Sequence, residues 1–231
     1  MIAAFFAALC AAAASQDLRD AVSAAAGKIR AAAVFSDTGS GAQSRLTLPE
    51  MKVYALQLGV FDSGERAADQ AKTLEETGVR CMIWQREKMR LIASASASRE
   101  GLSSVSVKGC EAYVYQETLP SVTLCLSADE QALEAAENLL MLPDSLFAAL
   151  DADQEPLEAI VSRARSAADK ALNAHPENLL YTELAQSLSG WCSLIDGISD
   201  QGNEEDVRAY ALATICALCR ELREALIASA G

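Results

Sequence analysis

Residues 53–61 (VYALQLGVF) constrain the fold more than any other segment, because their side chains alternate in character with a period of two. Such alternation is typical of a β-strand that buries one face and presents the other to a different environment. One face carries Tyr54, Leu56, Leu58 and Val60, and the other carries Ala55, Gln57, Gly59 and Phe61.

The residues after this strand predict a compact module. Asp62 and Glu65 resemble a capping box for a helix over residues 64–77, which Gly78 is placed to end. Strands are predicted at 79–85 and 88–96, joined by a tight turn at 86–87, and a short helical stretch follows over 100–108. A strand over 110–117 completes a split β-α-β-β-α-β module within residues 51–120, with both helices on one face of a four-stranded sheet.

The C-terminal half, residues 121–231, is predicted to be an acidic helical bundle. Apolar residues recur there at helical spacing, with Pro143 expected to end the first helix and Asn203 to cap the last. Residues 122–126 (VTLCL) are expected either to add an edge strand or to cross over to the bundle. The predicted fold class is therefore α+β, with the split module followed by an all-α bundle.

The sheet face opposite the helices is the candidate binding surface. If Leu56 and its neighbours face the helices, alternation forces an aromatic and polar set onto the other face. That set is Gln57, Phe61, Trp84, Arg90, Ser94 and Ser96, with Tyr113 and Tyr115 if the last strand keeps phase. Aromatic rings stack on the apolar faces of sugars while amide, guanidinium and hydroxyl groups bind sugar hydroxyls. A half-solvated face, or one covered by the C-terminal domain, is equally compatible with the pattern.

The module resembles the sporulation-related repeat (SPOR) domain. Its first strand, with Gln57-Leu58-Gly59-Val60-Phe61, is similar to that family's Gln-x-Gly-x-Phe signature, and the segment 90–100 is similar to its second half-repeat. The resemblance covers about 70 of the 231 residues. It implies that the sheet face binds peptidoglycan glycan strands, preferably stripped of peptides, in a bacterial envelope protein linked to cell division, sporulation or wall maintenance. Other envelope or divisome proteins are possible partners.

One departure from the family pattern motivates an alternative function. Ser94-Ala95-Ser96 stands where SPOR domains often have Gly-Pro-Phe after the third strand. A module altered in this way could serve as a support for the large bundle without binding glycan. The alternative interpretation is therefore a protein–protein interaction scaffold with a degenerate SPOR-like module.

The N-terminal residues indicate export or membrane anchoring. Residues 2–14 form an uncharged apolar run that is shorter than the roughly 20 residues that span a bilayer. Residues 1–15 are consistent with an export signal, with part of a membrane anchor, or with a buried Ala-rich helix. Residues 16–50 are expected to form a juxtamembrane helix and a Gly/Ser-rich linker. The expected location is extracytoplasmic, in the cell envelope.

Charge and composition exclude several function classes. Residues 121–231 carry 6 basic and 19 acidic side chains, whereas residues 1–120 carry 13 of each, so no basic stripe for nucleic acid is present. The seven cysteines form no recognisable disulfide framework, and a single histidine is too few for the usual zinc sites. No cofactor, metal or catalytic group is predicted, and the chain is interpreted as non-enzymatic.

Overall fold

The computed structural model describes residues 42–103, 105, 107, 110–128, 130–174, 179–200 and 202–230. The predicted N-terminal signal or anchor and the helix after it lie outside these residues. The described chain is α+β, as predicted. Its strands are β1 (Ala42–Leu48), β2 (Met51–Phe61), β3 (Met82–Gln85), β4 (Met89–Ser96), β5 (Tyr113–Leu119) and β6 (Val122–Ala128). Its helices are α1 (Gly64–Glu76), α2 (Glu130–Ala152), α3 (Leu157–Ala174), α4 (Leu179–Ser199) and α5 (Glu204–Ala230).

Four of the strands form one antiparallel sheet in the order β3–β4–β2–β5. Helix α1 packs on one side of it, against β2, β3 and β4. The predicted second helix is absent from the described residues of its segment, where Glu100–Leu102 forms a single 3-10 turn. Its leucine, Leu102, is buried with Leu56 on the α1 side of the sheet.

Helix α1 begins at Gly64 as predicted, but its capping residue differs from the one that the sequence suggested. Ser63, and not Asp62, is the N-cap, because its hydroxyl accepts a hydrogen bond from the backbone N–H of Arg66 at 3.3 Å. The helix ends as predicted at Gly78, whose φ of 85° lies in the left-handed region that glycine adopts without steric cost.

Two adjacent β-bulges reverse the alternation of the central strands. Ala93 on β4 and Leu58 on β2 have no partner across the β2–β4 ladder. The consecutive pairs around them are Leu56↔Ser94, Gln57↔Ile92 and Gly59↔Leu91. Each extra residue moves the following side chains to the other face of the sheet. Alternation that is regular in the sequence is therefore not regular in the sheet.

A second, two-stranded antiparallel sheet joins β1 to β6. Strand β1 occupies residues that the sequence analysis assigned to the linker within 16–50, so that assignment is wrong for residues 42–48. Leu46 and Leu48 are buried in the core. Their packing stabilises the strand, although the residues between and before them are polar. Strand β6 contains the residues predicted as an edge strand or crossover.

Helix α5 lies at the centre of the molecule. Residues 211–223 are all buried, and the helix packs against β3 and β4 on one side and against α2 and α4 on the other. Helix α2 continues past Pro143 to Ala152, so the predicted end at this proline is wrong. Its buried side chains Leu139, Leu146 and Phe147 lie on both sides of the proline. Their packing favours an unbroken helix over the tendency of proline to end one.

The sheet and the helical bundle share one hydrophobic core. Val53, Trp84 and Ile92 of the sheet belong to the same buried cluster as the apolar side chains of α2–α5. The backbone N–H of Ala97 also donates to the carboxylate of Asp151 in α2 at 3.0 Å. Residues 51–120 and 121–231 therefore pack as a single unit. None of the helices α1–α5 combines the length and the apolar character that spanning a lipid bilayer requires.

Candidate functional site

Trp84 faces the side of the sheet predicted for binding, but it lies in the core. Helix α5 covers it, and its side chain is 1% exposed. The indole N–H donates to the backbone carbonyl of Ala213 at 3.3 Å, and the Arg220 guanidinium lies 5.1 Å from the ring centroid. Trp84 therefore has no surface available for stacking on a sugar, and its predicted role in ligand contact is wrong.

Phe61, Ser94 and Ser96 lie on the opposite face from the one predicted. The two bulges place them on the α1 side, where Phe61 packs against the cluster of Ala67, Leu74 and Leu91. Ser94 and Ser96 are 1% and 2% exposed. A Cβ added at Gly101 in the 3-10 turn would lie 2.2 Å from the Ser96 hydroxyl oxygen, so small residues on β4 let this turn approach the sheet closely.

Gln57, Arg90 and Tyr115 are brought together on the predicted face. The Arg90 guanidinium donates to the side-chain oxygen of Gln57, and its carbon lies 4.2 Å from the centroid of the Tyr115 ring. Arg90 thus spans from β4 across β2 to β5, held by an amide on one side and an aromatic face on the other. These three residues, which we call the Arg90 cluster, are the part of the sequence-based site that the structure assembles.

A groove of about 720 Å³ opens beside the Arg90 cluster. It is lined by residues 85–88 of the β3–β4 turn, by Arg90 of β4, by Tyr115 and Glu117 of β5 and by Glu224 of α5. Its size is within the range of sites for small ligands or short oligomers. Helix α5 therefore covers Trp84 on β3, whereas Arg90, its cross-strand partner on β4, lines the open groove.

Tyr113 extends this accessible surface. It pairs with Gln57 across β2 and β5, and its side chain is 59% exposed. Its hydroxyl donates to the carboxylate of Glu111 at 2.8 Å, and this hydrogen bond raises the pKa of Tyr113 above its usual 10.0. An exposed ring next to the groove can contact the apolar face of a sugar.

Arg86 lines the groove and contacts two acidic side chains. It forms ion pairs with Glu117 of β5, which is buried, and with Glu224 of α5. Glu224 lies 3.8 Å from Arg220, which also lies 3.8 Å from Glu221. Burial lowers the pKa of Arg220, while Glu221 and Glu224 oppose the shift. The sequence offered no signal for the ion pairs of Arg86, since Glu117 and Glu224 lie 31 and 138 residues from it in the chain.

Three of the six cysteines in the described residues, Cys192, Cys216 and Cys219, are buried among apolar side chains. Cys216 and Cys219 lie fully buried within α5 and form no disulfide. Burial raises the pKa of Cys216 from 9.0 to about 12, and that of Cys81 to the same value. A thiol kept protonated is a poor nucleophile and metal ligand. In the described part of the chain, no group of histidine, cysteine and acidic side chains is arranged to hold a metal ion.

These thiols predict a loss of stability at alkaline pH. In the unfolded chain they ionise near pH 9, whereas in the folded protein they keep their protons to about pH 12. Between these values the unfolded state binds fewer protons, so the free energy of unfolding should fall as pH rises. Urea unfolding at about pH 8 and about pH 10.5 should show this fall, and Cys216→Ala should reduce it. A midpoint that is independent of pH in both proteins would contradict the burial of these thiols.

Comparison of the chain with protein-family models, with curated proteins and with solved structures found no significant match.

Proposed function

We propose that the chain is a non-catalytic peptidoglycan-binding protein that holds glycan strands in the groove beside the Arg90 cluster. One observation carries the proposal: Gln57, Arg90 and Tyr115 are held together on a sheet face where Arg90 and Tyr115 line an open groove. The Gln57–Phe61 signature and the antiparallel order β3–β4–β2–β5 support a SPOR-like module of split β-α-β-β-α-β type, in which a 3-10 turn replaces the second helix.

The groove suits sugar binding by its chemistry. The Arg90 guanidinium, which the Gln57 amide holds in place, supplies directional hydrogen bonds to hydroxyl and acetamide groups, and the exposed ring of Tyr113 on the same sheet face supplies an apolar contact surface. Glu117 and Glu224 both lie against Arg86, and an ion pair with a guanidinium favours carboxylates that stay ionised over one that donates a proton to a sugar. Binding without hydrolysis is therefore the activity that the groove supports best.

The cellular setting is part of the same proposal. The apolar N-terminal run and the SPOR resemblance support an envelope protein outside the cytoplasm, exported or anchored in the membrane, with a role in division, sporulation or wall maintenance. Envelope or divisome proteins would then be its neighbours and possible partners.

Replacing Gln57 by alanine should weaken glycan binding about tenfold or more. The substitution removes the amide that positions Arg90, and a hydrogen bond to a charged group contributes about 1.5–3 kcal/mol. The full chain in mild detergent would be mixed with purified cell-wall sacculi, with and without prior amidase treatment, and the pelleted fraction measured. We expect the wild-type protein to pellet, most strongly with amidase-treated walls.

Gln116→Ala is the matched control for this experiment. Gln116 is an exposed glutamine on β5 whose partner, Tyr54, lies on the opposite face of the sheet from the groove. This variant should pellet like the wild type. Complete recovery of wild-type protein in the supernatant with both wall preparations would refute the proposal, as would unchanged pelleting of Gln57→Ala.

A second candidate function, the protein–protein interaction scaffold, is favoured by the covering of Trp84. Helix α5 occupies the half of the sheet face that would otherwise supply the largest aromatic surface. In this case the groove would be incidental, and Gln57→Ala would leave the position of the protein in cells unchanged. Loss of localisation in Gln57→Ala, with localisation retained in Gln116→Ala, would favour glycan binding over the scaffold.

A further inference from the structure

We propose that two copies of this chain associate through β5, the two β5 strands pairing antiparallel so that the four-stranded sheets join into one sheet of eight strands. The surface involved is the outer backbone edge of β5 and not the groove. Association of this kind therefore goes beyond the proposed function and does not depend on it.

The outer edge of β5 is uncovered in the described part of the chain. β5 is the last strand of the order β3–β4–β2–β5 and pairs without interruption with β2, from Met51↔Leu119 to Gln57↔Tyr113. Helix α5 packs against β3 and β4, and α1 packs against β2, β3 and β4, so neither helix lies along β5. The backbone N–H and C=O groups that β5 directs outward are therefore available to another strand.

This edge also lacks the features that normally prevent strands from pairing between molecules. Such features are a very short strand, a lysine or proline in the strand, or a β-bulge. β5 (YVYQETL) has seven residues, a regular register and a single charged side chain, Glu117, which pairs with Arg86. By contrast, β3 at the opposite edge has only four residues and leads into the charged turn at 86–88. The sheet is therefore more open to strand addition at β5.

The exposed apolar side chains of β5 lie at its N-terminal end. Tyr113 is 59% exposed and Val114 is 37% exposed, and they are two of the four large apolar side chains that the described residues expose. Because the two are adjacent in a strand, they project from opposite faces of the sheet. A strand added at this edge would cover part of both side chains and remove apolar surface from water.

A second copy of the chain is the partner that this edge fits. Two identical antiparallel strands are related by a twofold axis, so each copy supplies the contacts that it receives. An axis at Val114 places this residue opposite Val114 of the second copy, and Tyr113 opposite Tyr115 of the second copy. Aromatic and β-branched pairs of this kind stabilise antiparallel sheets. The chain has a formal charge of −13, but residues 113–116 carry no charged side chain, so two copies can approach here with little repulsion.

The expected dimer is weak, and it has a consequence for binding. Two strands of this length bury less than the roughly 1,200–2,000 Å² of stable interfaces, so we expect a dissociation constant in the micromolar range. Opposite residues of antiparallel strands project from the same side, which puts the two grooves on one face of the joined sheet. If the grooves bind glycan as proposed, the dimer would contact the wall at two points and bind it more tightly than the monomer.

Sedimentation velocity of the full chain in mild detergent, over a wide range of protein concentration and without glycan, would test this association. The wild type should pass from one copy to two as its concentration rises. Val114→Lys should weaken the association at least tenfold, because a charge at the twofold axis faces its own copy across the paired strands. Ile227→Lys is the matched control, since Ile227 is an exposed apolar residue on α5, and it should associate like the wild type.

Cross-linking supplies a readout that does not depend on how well the lysine variant folds. With a short bismaleimide, Val114→Cys should give more covalent dimer than the wild type, whose native cysteines set the background, whereas Ile227→Cys should not. A wild type that stays monomeric at all concentrations, unchanged association of Val114→Lys, or equal cross-linking of the two cysteine variants would overturn the proposal. Because glycan is absent from both experiments, these outcomes leave the proposed glycan binding untouched, and failure of glycan binding would leave the dimer standing.

Discussion

Replacing Arg223 by methionine should lower the free energy of unfolding by about 3–5 kcal/mol, the cost of breaking a buried ion pair from one side. The Arg223 side chain is fully buried and forms two hydrogen bonds to the carboxylate of Asp144, at 2.6 and 2.8 Å. It also donates to the carbonyl oxygens of Pro49, Pro120 and Cys219. One side chain thus joins α5 to α2 and to the two turns that connect β1 with β2 and β5 with β6.

Arg223→Met would leave the carboxylate of Asp144 without its partner and remove the donors from three carbonyl groups. Urea unfolding would measure the change. Arg163→Met is a matched control, because Arg163 pairs with Glu155 on the surface and such pairs contribute about 1 kcal/mol or less. The double variant Arg223→Met/Asp144→Leu should recover part of the loss. An unfolding midpoint of Arg223→Met equal to that of Arg163→Met would contradict this account.

Replacing Trp84 by alanine should destabilise the protein by about 3–5 kcal/mol, as expected for a large aromatic side chain removed from a packed core. The substitution opens a cavity between the sheet and α5. It also removes the hydrogen bond to the Ala213 carbonyl and the stacking with Arg220, whose buried charge would lose its contact with the ring.

Tyr113→Ala provides the comparison for this variant, since Tyr113 is an aromatic residue on the same face of the sheet but is largely exposed. Its removal should change stability by no more than about 0.5 kcal/mol. The two substitutions should therefore separate stability from binding, with Trp84→Ala affecting the fold and Tyr113→Ala affecting glycan affinity. A stable Trp84→Ala variant with normal unfolding would show that the indole is not part of the core.

Local pattern was enough to predict the α+β class and most strands of the main sheet. The alternation in residues 53–61 and the glycine at 78 reflect interactions between residues close in sequence, and these interactions persist in the fold. The placement of Gln57 and Arg90 on one face was also correct. Gln57 precedes the bulge at Leu58 and Arg90 precedes the bulge at Ala93, so the alternation is still regular at both positions.

The remaining features depend on contacts between residues far apart in the chain. The bulges at Leu58 and Ala93 move Phe61, Ser94 and Ser96 to the α1 side, and no residue type in the sequence marks their position. The covering of Trp84 by α5 requires the packing of residues more than a hundred positions apart. Strand β1 pairs with β6, which lies about 80 residues later in the chain, so its place in the fold depends on a contact that local pattern does not show.

The fluorescence of Trp84 tests the central claim most directly, namely that α5 covers this end of the sheet face and leaves binding to the Arg90 cluster. A Trp191→Phe variant would make Trp84 the only tryptophan, because the chain contains two. We predict blue-shifted emission that acrylamide quenches weakly and that does not change when stripped wall glycan is added. Red-shifted emission that acrylamide quenches readily, or a spectrum that shifts on glycan binding, would show that Trp84 belongs to an open binding face and would contradict this account.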